Sequence, residues 1–419
     1  MTIIGIIFYS IIFIFLINRM IRKKAMLSVT ELALAFLFKV ALGCLYGYIY
    51  GRFYNGDDTW MYQAYSQEEL KLLTTDPVQF ITNLGPAGSF AWAGGGFWDG
   101  ISAWIHTLEN NLIIKILTIG NIFGGSNYYI NVVFFNFILF WGHYWLFSLY
   151  VQEFPEKRKP LLLLFFFFPP LVFWLSGIRG DGLILFFLAL LLLHFRRWLY
   201  YNKTGSLVYC AISATGIIIF RSQVLLLLIP ALIAWYIPVK FNRKPTLTFL
   251  AVYATGGLLF FATAWVSPGR NLPQVIVHRQ QAFMQLKGTR FPLDSLQPTP
   301  GSFARVLPQA SSHTFLRPYI WEAQGALQLM TAAAIMLFWL LVLLAIIKKE
   351  MYWKTIVSKP LILFSLGFGI ILYILIGYTV PFPGAIVRYK AIAELLLLAV
   401  PVICTNWSFT RKINKKLYI

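Results

Sequence analysis

The chain has 419 residues, of which 59% are hydrophobic, 18% aromatic and only 12% charged. A soluble domain carries about 25% charged residues, so the composition excludes an ordinary soluble fold. The net charge of +20 does not point to nucleic acid, because the basic residues lie in short clusters between apolar runs, the pattern of cytoplasmic loops.

A bilayer core of ~30 Å takes ~20 helical residues, so repeated apolar runs of that length read as membrane spans. The alternation of a β-barrel is absent from the sequence. The expected fold class is all-α: one polytopic transmembrane helix bundle over 1–419, of about 11 spans, roughly 10 to 12.

The first apolar run, 3–17, has no basic region before it and reads as a span, not a signal peptide. Arg19, Arg22, Lys23 and Lys24 follow, which places that end in the cytoplasm and the N-terminus outside. The second span, 28–50, carries Glu31 and Lys39 near one face, an expected buried pair. It delivers Arg52-Phe-Tyr-Asn-Gly-Asp-Asp-Thr-Trp-Met-Tyr62 to the outside. A non-spanning region, 51–126, comes next. Ser66 with Glu69 reads as a capping box. Gly94-Gly-Gly96 reads as a turn near Trp92, Trp98 and Trp104. Residues 101–119 read as an amphipathic helix interrupted by His106, Glu109, Asn110, Asn111 and Lys115. The region is expected to be an outer loop with two short interfacial helices.

The third span, 127–151, ends at the basic cluster Glu156-Lys-Arg-Lys159. The fourth, 160–176, contains Pro169-Pro170 and ends at Ser176-Gly-Ile-Arg-Gly-Asp-Gly182. Spans 183–195, 205–220, 222–239 and 246–266 follow, with Arg221 alone at an outer turn. A second outer loop, 267–320, is rich in proline and basic: Arg270, His278, Arg279, Lys287, Arg290, Arg305, His313 and Arg317. Spans 325–347, 359–380 and 389–405 complete the chain, with Arg388 and Lys390 at the start of the last and a basic C-terminal tail expected in the cytoplasm. Six clusters hold 20 of the 35 basic residues, all on one side of this topology.

Three residue sets carry candidate chemistry. Asp57 and Asp58 are adjacent carboxylates at the mouth of a span, and Asp181 lies at the outer end of another. They are candidate catalytic groups; the plainer reading is solvated helix caps, or for Asp181 a pair with Arg179. Arg179, Arg221, Arg270, His278, Arg279, Arg317, Arg388 and Lys390 are candidate ligands of a phosphate through charge-assisted hydrogen bonds. Lys390 also has Glu394 at helical spacing. Trp60, with Trp92 and Trp98, is a candidate for stacking on a sugar. Asp57 and Asp58 are also a candidate seat for a divalent cation. The five histidines lack metal-ligand spacing, Cys44, Cys210 and Cys404 read as small buried residues, and no Walker or GxGxxG loop is present.

This plan resembles the GT-C superfamily of integral membrane glycosyltransferases, in its bacterial polysaccharide-synthesis form. The resemblance rests on the acidic motif Asp57-Asp58 in the first large outer loop, the flanking interfacial helices, the many spans and the basic outer region. Trp174-Leu-Ser-Gly-Ile-Arg-Gly-Asp-Gly182 resembles the Trp-x-Ser-Gly-x-x-Lys-Asp stretch of such proteins, with Gly180 in place of the lysine. Arg388-Tyr-Lys390 resembles a late Arg-Tyr motif. The acidic loop follows the second span here, whereas the family usually places it after the first. The resemblance implies a loop aspartate as general base and a polyprenyl-phosphate sugar as donor. It also implies a glycan, lipid or protein acceptor and a multi-pass location in the bacterial inner (plasma) membrane. Two other readings stay open: a polymerase or ligase of lipid-linked oligosaccharides working through outer-loop arginines, and a lipid-linked-sugar flippase with no bond chemistry.

Overall fold

The computed structural model describes residues 2–22, 25–84, 97–267, 271–350 and 352–407, and for 97–106 the backbone only. Among the described residues the chain is helical, and the one β-bridge joins Lys349 to Thr405. The helices run α1 (Thr2–Ile21), α2 (Val29–Phe53), α3 (Asp57–Thr75), α4 (Pro77–Thr82), α5 (Phe97–Gly124), α6 (Tyr128–Glu153), α7 (Arg158–Phe167), α8 (Pro169–Trp174) and α9 (Gly180–Tyr201). They continue with α10 (Ser206–Phe241), α11 (Pro245–Val266), α12 (Leu272–Gln285), α13 (Pro300–Phe315), α14 (Ala326–Ile347), α15 (Trp353–Val357), α16 (Pro360–Thr379) and α17 (Pro383–Cys404).

Eight of these are long and apolar enough to cross a membrane: α1, α2, α6, α9, α10, α11, α14 and α16. A straight helix of 36 residues would be about 54 Å long, well beyond a bilayer core. The 36-residue α10 leaves helical geometry at Arg221 (φ −165°, ψ 84°), so it comprises two helical pieces. The expected fourth span is α7 and α8, divided at Phe168 because proline supplies no N–H and disfavours helix in the residue before it. The expected last span is α17, which carries Arg388, Lys390 and Glu394.

The chain forms two compact units. The first comprises residues 1–155 and 165–223. In it α6 packs against α1, α2, α5 and α9, and α2 against α8. A Cβ on Gly142 would lie 2.8 Å from the Phe186 Cα, so α6 and α9 approach backbone to backbone. Among the described residues, the region read as a loop with two short helices contains longer ones. Its helices α3 and α5 have 19 and 28 residues and pack on each other. A buried amide network joins them to α6. Asn131 donates to Gln63 Oε1 (2.8 Å) and Asn121 Oδ1 (2.6 Å), and Asn121 donates to Ser66 Oγ (2.9 Å). Ser66 therefore sits inside α3 and donates to the Gln63 carbonyl. It caps no helix, because α3 begins nine residues earlier, at Asp57.

The second unit comprises residues 156–164 and 224–419. Here α16 packs against α17, α13, α12 and α11. Residues 271–320 are also structured. Ile276, Val277, Leu293, Leu296, Phe303, Val306, Ala310 and Tyr378 form a small apolar core beneath α12 and α13. Tyr378 Oη donates to the Phe303 carbonyl at 2.7 Å, and Gln280 donates to the Tyr378 carbonyl at 2.9 Å.

Candidate functional site

The site grows from three breaks in helical structure within the first unit. The first lies between α2 and α3. Asn55, Gly56 and Asp57 take successive positive φ values of 51°, 88° and 45°, a left-handed run that glycine, asparagine and aspartate tolerate best. The chain reverses there, and Asp57 and Asp58 enter the first turn of α3, where helix N-termini favour negative charge.

The second break is the stretch 175–179 between α8 and α9. A face of α2 receives it one residue at a time. Lys39, Gly43 and Tyr46 lie at i, i+4 and i+7 on that face. Lys39 donates to the Leu175 carbonyl (2.7 Å), to Ser176 Oγ (3.0 Å) and to His143 Nε2 (3.2 Å). His143 Nδ1 lies 2.8 Å from the Phe165 carbonyl. A carbonyl only accepts, so Nδ1 carries the ring proton and Nε2 is free to accept from Lys39. The ammonium, 1% exposed, thus places all three donors without a carboxylate. Gly43 leaves room for the Ser176 carbonyl, 2.8 Å from where a Cβ would stand, and Asn136 donates to that carbonyl at 2.9 Å. Gly177 lies so close to the Tyr46 ring that its Cβ would meet ring atoms at 2.8–2.9 Å. The expected pair Glu31–Lys39 is therefore not formed: Glu31 instead closes a capping box with Ser28 at the start of α2.

The stretch delivers Arg179 to the start of α9. Its guanidinium donates to Tyr46 Oη at 3.1 Å and forms ion pairs with both Asp57 and Asp58. Burial alone would lower the pKa of Arg179. Tyr46, Asp57 and Asp58 outweigh it and hold the group well above the ordinary arginine value. The two aspartates remain 34% and 47% exposed, so each keeps an open side. Arg179 is their shared cation, and a divalent ion at that seat would compete with it. Among the described residues no group of three or more His, Cys, Asp or Glu side chains is placed to hold a metal.

The third break is Arg221 in α10. It donates to Asp181 Oδ1 at 2.9 Å. Asp181 is only 3% exposed, so its charge is matched inside the protein. Gly180, between Arg179 and Asp181, lies against a residue outside the sequence motifs, Glu109. A Cβ there would stand 2.7 Å from Glu109 Oε1 and 3.2 Å from Phe220. Glu109 of α5 thus joins the cluster, which among the described residues brings together four carboxylates and two guanidiniums. Its only trace in the sequence is an acid interrupting the apolar face of an amphipathic helix. Tyr46 and Lys39 were equally silent as site residues.

Trp60 is half-buried and packs within the first unit. It stacks on Tyr128 (4.1 Å between centroids, 14° between planes) and donates to the Gly47 carbonyl at 2.9 Å.

The other candidate phosphate ligands belong to the second unit. Arg279 stacks on Phe283 and Arg388 on Tyr389, at 5.5 and 4.9 Å, and the two rings are 6.4 Å apart. Two guanidiniums therefore flank one pair of aromatics. His278 is exposed and bonded to Gln274 at 2.7 Å. Lys390 is buried, donates to the Thr314 carbonyl at 3.0 Å and faces Glu394 at 3.9 Å. Arg317 grips Glu322 with two donors and stacks on Phe291. Arg270, Trp92 and the Gly94-Gly-Gly96 turn lie outside the described residues, as do the C-terminal basic tail and the side chain of Trp98.

Compared with known protein families, curated proteins and solved structures, the chain matches none.

Proposed function

We propose that this membrane protein is a glycosyltransferase that moves a sugar from a polyprenyl-phosphate donor to an acceptor hydroxyl on the outer face of the membrane. One observation carries the reading. Asp57, Asp58, Asp181 and Glu109 come from three separate helices and gather around Arg179 and Arg221 at helix ends. Charged groups at membrane borders tend to be functional or paired, and here they are gathered as well as paired.

The chemistry divides by environment. Asp57 or Asp58, with an open side, takes the proton of the acceptor hydroxyl as general base. The acceptor oxygen then bonds to the anomeric carbon, which carries oxocarbenium character. The bond from that carbon to the phosphate oxygen breaks, and the lipid phosphate leaves with the electron pair. Its developing charge is met by arginine. Arg179 is placed to exchange a carboxylate for a phosphate oxygen, since both make charge-assisted hydrogen bonds of the same kind. Asp181, buried against Arg221, is an orienting group.

The test is incubation of purified protein with a panel of polyprenyl-phosphate sugars and mass spectrometry of the products. A glycosylated acceptor with release of polyprenyl phosphate is expected. Translocation of an intact lipid-linked sugar across vesicles, with no product from any donor, would replace this reading with the flippase one.

A further inference from the structure

The first unit contains a cavity of about 260 Å³ among α1, α6 and α9. It lies at the C-terminal end of α9, lined by Leu193 and Arg197, whereas Asp181 stands at the N-terminal end. Sixteen helical residues separate Asp181 from Arg197, about 24 Å along the axis, so this is a different place from the carboxylate cluster.

Its lining combines two kinds of side chain. Met20, Trp141, Tyr144, Trp145 and Leu193 make the walls apolar and aromatic. Arg197 and Gln152 bring polar groups to the same lining. Arg197 is half-buried and, among the described residues, makes no ion pair. The nearby acid Glu153 faces Arg196 instead, at 3.5 Å. Arg196 also donates to Gln152 Oε1 at 2.7 Å, which leaves the amide NH2 of Gln152 as a donor. A partly desolvated guanidinium without an ion pair, in the same lining as apolar and aromatic side chains, suits an anion attached to a hydrocarbon.

We propose that this cavity is a binding site for an anionic phospholipid. Its acyl chain lies against Trp141 and Trp145, and its headgroup phosphate accepts hydrogen bonds from Arg197 and Gln152. The positive-inside rule puts this end of α9 at the inner leaflet, where anionic headgroups attract basic residues near the surface.

The experiment uses the full chain in phosphatidylcholine vesicles doped with one of two photoactivatable probes. These are phosphatidylglycerol and phosphatidylcholine, each bearing the same diazirine acyl chain, with labelled peptides mapped by mass spectrometry. The phosphatidylglycerol probe is expected to label the α6 and α9 segments 141–152 and 193–197 about fivefold more than the phosphatidylcholine probe. Arg197→Gln should abolish the preference and Arg197→Lys should retain it. Ser148→Phe, which narrows the cavity, should reduce labelling by both probes. Equal labelling of the wild-type protein by the two probes would overturn the proposal. So would a preference that survives in Arg197→Gln, or labelling no denser at these segments than along α11.

Discussion

Lys39 and Leu175 are joined by a 2.7 Å hydrogen bond from a fully buried ammonium to a main-chain carbonyl. This bond ties the middle of α2 to the stretch that carries Arg179. In Lys39→Met the Leu175 carbonyl and Ser176 lose their donor inside the protein. A buried acceptor left unsatisfied costs about 1–3 kcal/mol. A lower unfolding temperature is expected, and with it loss of transfer, because Arg179 is no longer held against Asp57 and Asp58. An unchanged melting curve and full transfer would show that the tripod does not position the stretch.

Asp57 and Asp58 share Arg179, so they need to be replaced singly and together. Removing a general base costs about 10²–10⁴-fold in rate. One of Asp57→Asn and Asp58→Asn is expected to lose that much, and the double variant no more than the worse single one. Asparagine is the required replacement at position 57, because φ is +45° there and alanine would add about 1–2 kcal/mol of left-handed strain. Rates of transfer from a supplied donor decide the matter; near-wild-type rates in all three variants would remove both groups from the chemistry.

Arg221 and Asp181 form the most deeply placed pair of the cluster. Breaking a buried pair by removing one partner costs about 3–5 kcal/mol, because a charge is left buried. Arg221→Gln should therefore destabilise the protein by about 3 kcal/mol, given that Arg221 is partly solvated. Adding Asp181→Asn should recover much of that stability without restoring transfer. A double-mutant cycle on unfolding free energy measures the coupling; additive effects would mean the pair carries none.

Gly180 offers a test of Glu109. The methyl group of Gly180→Ala would meet Glu109 Oε1, the far end of a flexible side chain, so the carboxylate can swing away. Stability is expected to change by less than about 1 kcal/mol, while transfer falls as it does in Glu109→Gln. Equal activity in Gly180→Ala and the wild type would remove Glu109 from the functional group.

The second unit should be acid-sensitive at His313. This histidine is buried beside Phe291 and bonded to the Pro292 carbonyl. Burial and the nearby Arg317 push its pKa down to about 4. The unfolded chain therefore binds the proton at higher pH than the folded one, so stability is complete above the free-histidine value and falls as pH drops toward 4. Glu322, held below its usual value by the hydrogen bond from Arg317, acts in the same direction at the lower end of that window. Between pH 6.5 and 5 the His313 contribution is about 2 kcal/mol. Unfolding temperature measured against pH should lose this slope in His313→Phe.

The sequence by itself determined the class of the protein and most of its helices. Apolar runs long enough for a bilayer dictate helix, because an unsatisfied peptide group in hydrocarbon costs too much for any open alternative. The lone Arg221 between apolar runs was legible too, whereas 160–176 read as one span and the structure divides it at Phe168, before Pro169. Ion pairing was not legible. Spacing on one helix suggested Glu31 with Lys39, yet Glu31 caps its own helix and Lys39 reaches His143 and Leu175, more than a hundred residues away. The same holds for Arg179 with Asp57 and Asp58, and for Glu109 against Gly180. Hydropathy records how deep a segment lies, but not which face of a helix meets which neighbour. Only the packing of α2, α3, α5 and α9 in three dimensions decided which charges share a site.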